Sequence, residues 1–285
     1  MTGRDTARAI AAMGQGLGPE VLANCRALYD AEQRALAQQV PALARDLAYG
    51  RDPRHRLDLY GTPGPAPKPV LVFVHGGGFV QGDKGGDENW ANAAVGRMAA
   101  RRGWIGAVIN YRLAPDHMWP AGSEDVGAAI RHIGNVVGSY GGDPARIVAI
   151  GTSAGAVHVA SYLRATPDHA REIAGAVLLS GLYGYTPIDA RDERYYGAAS
   201  TYPDKAPLEA VATTRLPLLV ACAQYDPDRF QAEFIALMND RRARHGTMPR
   251  ALIMPDHNHY TMAMHLGSRD TRLEHEIAAF IEDLP

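Results

Sequence analysis

The succession of apolar runs and turns in this chain predicts an α/β fold, a mostly parallel sheet with helices on both faces. Three observations carry that expectation. Short runs such as Val70-Leu71-Val72-Phe73-Val74 and Ile147-Val148-Ala149-Ile150 are apolar at every position, as strands covered on both faces are. They alternate with longer segments whose apolar residues recur at helical spacing. The stretch Gly151-Thr152-Ser153-Ala154-Gly155 joins one of these runs to the small-residue run Ala156 to Leu163, which reads as a tight strand-to-helix turn.

In chain order, Val21, Leu22, Leu28, Leu36, Val40 and Leu43 recur at roughly helical spacing between Pro19 and Leu47, giving one or two helices before any strand. Residues 1–50 are therefore expected to form an N-terminal helical segment, either packing alone or folding over a site as part of a cap, ahead of a single catalytic domain at 51–285. Arg56 to Tyr60 alternates like a strand, and Thr62 to Pro69 is a Pro-rich surface loop. The buried run Val70–Val74 leads into His75-Gly-Gly-Gly-Phe79. A helix over Glu88–Arg102 precedes a strand over Trp104–Asn110, and a helix over Ser123–Val137 precedes a Gly-Gly-Asp-Pro turn. Ala174–Leu179, Leu216–Ala223 and Arg250–Met254 are further strands, with helices near Arg229–His245 and Thr271–Ile281. The connector Gly181–Lys205 has no clear periodicity. It carries Tyr183, Tyr185, Tyr195, Tyr196 and Tyr202, which suits an aromatic flap beside a site.

Composition narrows the function. A length of 285 residues permits one large core, and a net charge of −2 supplies no basic face for nucleic acid and no polybasic membrane patch. The N-terminus lacks the apolar core of a secretory signal and no run approaches 18 apolar residues, so a soluble cytoplasmic protein is expected. Cys25 and Cys222 suggest neither a disulfide scaffold nor a metal site. Leu273, Ile277 and Phe280 on the last helix either pack inward or cover a partner, which leaves a homodimer open.

Ser153 is the residue around which a chemistry can be built. On a sharp turn at a helix N-terminus its hydroxyl is pushed outward, next to the Ala154 N–H and a dipole that favours negative charge. Three glycines after a buried strand let a backbone approach a ligand closely with its N–H groups turned into a cleft. The rival phosphate-cradle patterns do not occur.

From about Leu57 to the C-terminus the chain resembles the α/β-hydrolase fold and, within it, the hormone-sensitive-lipase-like carboxylesterases. The resemblance rests on four motifs in one order: His75-Gly-Gly-Gly-Phe79, Asn110-Tyr-Arg-Leu-Ala-Pro115, Gly141-Gly-Asp-Pro144 and Gly151-x-Ser-Ala-Gly155. It implies an oxyanion hole formed by the N–H groups of Gly77, Gly78 and Ala154. A serine hydroxyl is a poor nucleophile at neutral pH, so a base and an orienting carboxylate are required, and this fold orders them Ser, acid, His. Asp226 in Gln224-Tyr-Asp-Pro-Asp228 matches the acid, with Asp228 as the alternative. In Pro255-Asp-His-Asn-His-Tyr260 the base is His259, with His257 as the alternative; His265 is expected in packing or at the surface, and His75 as a support for the glycine loop. Phe79, Tyr183, Tyr185 and Tyr260 are the expected substrate contacts. Relatives often carry Gly where this chain has Ala156, and an acid where it has Arg229. The expected activity is hydrolysis of short acyl or small aromatic esters through an acyl-enzyme, with no metal or organic cofactor. Arylformamide or amide hydrolysis and a non-catalytic small-molecule receptor are the other readings.

Overall fold

A computed structural model describes residues 3–64 and 66–285; residues 1–2 of the N-terminal segment and residue 65 of the Pro-rich loop lie outside the described residues. Two helices come first, α1 (Gly3–Met13) and α2 (Pro19–Gln39), then strands β1 (Ala42–Ala48), β2 (Arg56–Tyr60) and β3 (Lys68–Val74). Alternation follows: α3 (Trp90–Arg101), β4 (Ile105–Ile109), α4 (Ala121–Val136), β5 (Gly142–Thr152), α5 (Ala154–Ala165) and β6 (Gly175–Leu179). The remainder comprises α6 (Ala190–Tyr196), α7 (Leu208–Thr213), β7 (Leu218–Tyr225), α8 (Asp228–His245), β8 (Arg250–Asn258), α9 (Thr261–Met264) and α10 (Arg272–Glu282).

The eight strands form one sheet in the order β1-β2-β4-β3-β5-β6-β7-β8. The pairings β1 with β2 and β2 with β4 are antiparallel; from β4 through β8 every neighbour is parallel. The pleat sends successive side chains of β3 to opposite sides. Val70, Val72 and Val74 join one apolar layer with Val126, Ile130, Val159 and Leu237, whereas Leu71 and Phe73 join another with Met98, Leu273, Ile277 and Phe280. Both faces are therefore covered, and the three apolar positions of α10 pack inward against the sheet rather than outward.

The N-terminal segment departs from expectation. Its helix stops at Gln39, and residues 42–48 add an antiparallel edge strand, so the helical part does not reach residue 50. Pro41 has no N–H to continue a helix. Register shifts between Ala42 and Ala44 and between Ala44 and Leu47 break the two-residue alternation by which a strand is recognised in sequence. The helices themselves pack through Cys25 and Tyr29 against Trp90, Ala94 and Met264. The Gly181–Lys205 connector is only partly irregular: Asp189 caps α6 by accepting from the N–H groups of Arg191 and Asp192, and seven residues are too few to show a period.

Candidate active site

Three strands deliver their ends to one place. After β5 the chain turns at Ser153, whose φ of 54° is a left-handed conformation uncommon for a residue with a Cβ, and enters α5 directly. The turn is held by the Ser153 N–H donating to the Leu179 carbonyl at 2.9 Å. Gly155 is obligatory here, because a Cβ on it would lie 2.0 Å from the Val74 carbonyl oxygen, where α5 passes over the end of β3. Ser153 is only partly buried. Its Oγ lies 2.9 Å from His259 Nε2, and His259 Nδ1 lies 2.7 Å from Asp226 Oδ1. The ring of Phe230 packs tilted on the imidazole at 4.3 Å.

Asp226 has no exposed surface. Burial by itself would raise its pKa, yet the carboxyl is held below the usual carboxylate range by His259, by Ser180 and by the Ala223 N–H. The donors divide between its oxygens: Oδ1 takes His259, while Oδ2 accepts from Ser180 Oγ at 2.6 Å, the Ala223 N–H at 2.7 Å and Cys222 Sγ at 3.2 Å. The Cys222 thiol is pushed up, first by burial and then by the carboxylate it faces. Sequence reasoning missed Ser180 and gave Cys222 no part at the site. The available signal was position, since Ser180 follows the carboxyl end of β6 just as Ser153 follows that of β5.

The glycine loop closes the other side. Gly77, at φ 130°, admits no side chain, because a Cβ there would lie 1.9 Å from the Gln81 carbonyl oxygen. A Cβ on Gly76 would come within 3.2 Å of Ser153 Cβ, so this backbone abuts the serine. The N–H groups of Gly77, Gly78 and Ala154 donate to no partner among the described residues. His75 shapes the loop: its Nδ1 meets the Gly76 carbonyl at 2.7 Å, and its own carbonyl accepts from the Tyr111 hydroxyl at 2.9 Å. Burial lowers its pKa to about 4, so it is neutral and serves as structure. The Asn110-Tyr-Arg motif braces the same region, with Asn110 Oδ1 accepting from the Lys84 N–H and Arg112 paired with Asp125.

The two alternatives lie elsewhere. Asp228 is exposed at the start of α8, where it accepts from Gln15 Nε2 at 3.0 Å. His257 is buried between Asp270 Oδ2 and Thr261 Oγ1, 3.1 Å from each. His265, wholly buried, packs tilted on His257 at 4.0 Å and bonds the Thr261 carbonyl through Nδ1. Burial lowers its pKa to about 3. His257, His265 and Asp270 form the one group of possible metal ligands among the described residues. Asp270 is already held at both oxygens by Arg272, and the group buttresses the loop that carries His259.

The aromatic expectations divide. Tyr260 stands edge-on to His259 at 6.0 Å. Phe79 is buried, stacked on Tyr195 at 4.6 Å in a cluster with Ala154, Val157, Tyr196 and Tyr202, so it anchors the flap to α5. Tyr183 and Tyr185 are displaced from the expected role. Glu233 on α8 accepts the N–H groups of Tyr183, Gly184 and Thr186 and turns this stretch toward α8. The Tyr183 ring is buried in the main core, and the Tyr185 hydroxyl donates to Asp240.

A buried carboxylate, an imidazole and a partly exposed hydroxyl in line beside free backbone donors can deprotonate the hydroxyl and stabilise an oxyanion. Comparison with known proteins finds likenesses in part of the sequence and across the fold. Residues 57–190 match the family described as BD-FAE. Over 120 residues the chain is 43% identical to a probable isoprenylcysteine alpha-carbonyl methylesterase, ICMEL1, of Oryza sativa subsp. japonica, covering 42% of this chain and 27% of that protein. Over 118 residues it is 38% identical to the carboxylesterase NlhH of Mycobacterium tuberculosis, covering 41% of this chain and 34% of that protein. The aligned region thus spans about a third or less of these curated relatives. Among solved structures, an esterase from Pyrobaculum calidifontis superposes with a TM-score of 0.67 at 21% identity, over 98% of this chain and 96% of the other. A bacterial heroin esterase gives 0.65 at 24% identity, over 98% and 95%, a likeness of fold.

Proposed function

We propose, for a chain of the α/β-hydrolase fold family whose residues 57–190 match BD-FAE, that it is a serine carboxylesterase using Ser153, His259 and Asp226. His259 Nε2 takes the proton of the Ser153 hydroxyl as its oxygen bonds to the ester carbonyl carbon. Asp226 holds the Nδ1–H and balances the imidazolium. The oxygen of the tetrahedral intermediate takes hydrogen bonds from the N–H groups of Gly77, Gly78 and Ala154, each worth on the order of 3 kcal/mol in the transition state. The intermediate collapses with the alcohol leaving on the proton held by His259. Water, deprotonated by the same imidazole, then releases the acid and restores Ser153.

The single observation that carries this reading is the unbroken hydrogen-bond chain, 2.9 Å and then 2.7 Å, from a partly exposed hydroxyl to a wholly buried carboxylate. The relatives named above are esterases, which favours an ester over an amide. The aromatic flap over α5 favours a short acyl or small aromatic group. We assign the N-terminal helices a capping role, supported by Gln15 bonding Asp228 and by the Gly18 amide lying against the Tyr260 hydroxyl. No described helix is long and apolar enough to cross a membrane. The test is hydrolysis of p-nitrophenyl acetate and butyrate by wild type and Ser153→Ala. The substitution is expected to lower kcat by at least about a thousandfold; a variant within tenfold of wild type would remove Ser153 from the mechanism.

A further inference from the structure

We propose that Arg191 forms an anion subsite at the mouth of the candidate site, so that the favoured substrate is an ester bearing a carboxylate a few carbons from the scissile carbonyl. The inference rests on the esterase reading and names its substrate class.

Arg191 lies in the first turn of α6, on the flap, and is exposed. Its aliphatic stem runs against the glycine loop: a Cβ on Gly78 would stand 3.2 Å from Arg191 Cδ and 4.0 Å from Cγ. On the opposite flank its charge reaches Tyr260. Burial raises the pKa of that phenol, and the Gly18 amide and the Arg191 guanidinium pull it back down. Tyr260 adjoins His259, whose Nε2 lies 2.9 Å from Ser153 Oγ. The arginine therefore extends from the glycine loop toward the histidine flank of the serine.

Arg194 on the same helix likewise has no ion pair among the described residues, but it is Arg191 that lies against Gly78, and the other cations nearby, on α8 and on the flap, are compensated. Arg229 pairs with Asp192 and, at 3.4 Å, with Asp189; Lys205 donates to the Tyr196 carbonyl and lies over the Trp119 ring. Asp189 engages only the backbone N–H of Arg191. The Arg191 guanidinium has no ion pair or hydrogen bond among the described residues. A planar, permanently charged fork with free donors at the rim of an ester-cleaving site matches a carboxylate in bidentate geometry. One guanidinium balances one negative charge, which favours a carboxylate monoanion over a phosphate dianion.

The test compares monomethyl glutarate with its neutral isostere, methyl 4-carbamoylbutanoate, by methanol release, for wild type, Arg191→Gln and Arg191→Lys. Wild type is expected to prefer the carboxylate by about tenfold in kcat/KM, the size of one solvent-facing charge-assisted pair. Arg191→Gln should bring the ratio near one through a higher KM for the charged ester, Arg191→Lys should keep part of it, and 1 M NaCl should shrink it in wild type. Equal rates on the two esters in wild type would overturn the subsite. So would a loss shared equally by both esters in Arg191→Gln, which would place the charge on the oxyanion instead. Failure of wild type on both esters and on p-nitrophenyl butyrate would overturn the esterase reading, and the subsite with it.

Discussion

Asp226 is wholly buried and still ionised, because Ser180, Cys222 and Ala223 turn donors toward the oxygen that His259 leaves free. Ser180 sits at φ 49°, left-handed for a residue with a Cβ, and this brings its hydroxyl to the carboxylate. Ser180→Ala removes a charge-assisted hydrogen bond of roughly 1.5–3 kcal/mol. The sign follows from the charge: a carboxylate with fewer donors holds its own proton more readily and also favours imidazolium beside it, so both effects raise the pKa governing the acid limb. The kcat/KM profile of Ser180→Ala should move toward higher pH by about half a unit to one unit, with Ser180→Thr recovering part of the shift; an unmoved limb would make Ser180 mere packing. Ser153, Asp226 and His259 were legible because each follows a recognisable apolar run. Ser180 was not, because its role exists only once β6 and β7 lie side by side.

At the scale of elements, α5 packs on β3 at a distance only glycine allows. Gly155→Ala would put a methyl group 2.0 Å from the Val74 carbonyl oxygen and 2.6 Å from that of His75, so the helix must move off the sheet together with the Ser153 turn. The expected cost is about 2 kcal/mol or more, read as a Tm several degrees lower, with Gly86→Ala, which meets nothing within 4 Å, as the control. A Tm equal to wild type would contradict the close packing. Elements with strong periodicity or apolar runs, such as β3, α4, β7 and α8, were readable to within a few residues, whereas β5 begins at Gly142, inside the expected Gly-Gly-Asp-Pro turn. The edge strand β1 was not, because its bulges erase the alternation. Nor were the positions of Tyr183 and Tyr185, which Glu233, 50 and 48 residues further along, decides through long-range hydrogen bonds.

In the whole molecule, parallel strands β5, β7 and β8 end on one edge of the sheet, and residues 153, 226 and 259 meet there across 106 residues of sequence. This convergence is a property of topology: ligand sites in open parallel sheets collect beyond the carboxyl ends of the strands. It was legible from the chain order of the motifs, and an aromatic flap was expected of Gly181–Lys205, whereas the packing of that flap was not legible, since its contacts join Phe79, α5 and α6 across the fold. The central claim is that this meeting makes one serine nucleophilic and no other. The most direct test treats the full chain with a fluorophosphonate and locates the adduct by intact-protein mass and peptide mapping. A single adduct on Ser153, absent from Ser153→Ala and formed far more slowly in His259→Ala, is the predicted result. An adduct on another residue, or one that persists in Ser153→Ala, would contradict the account.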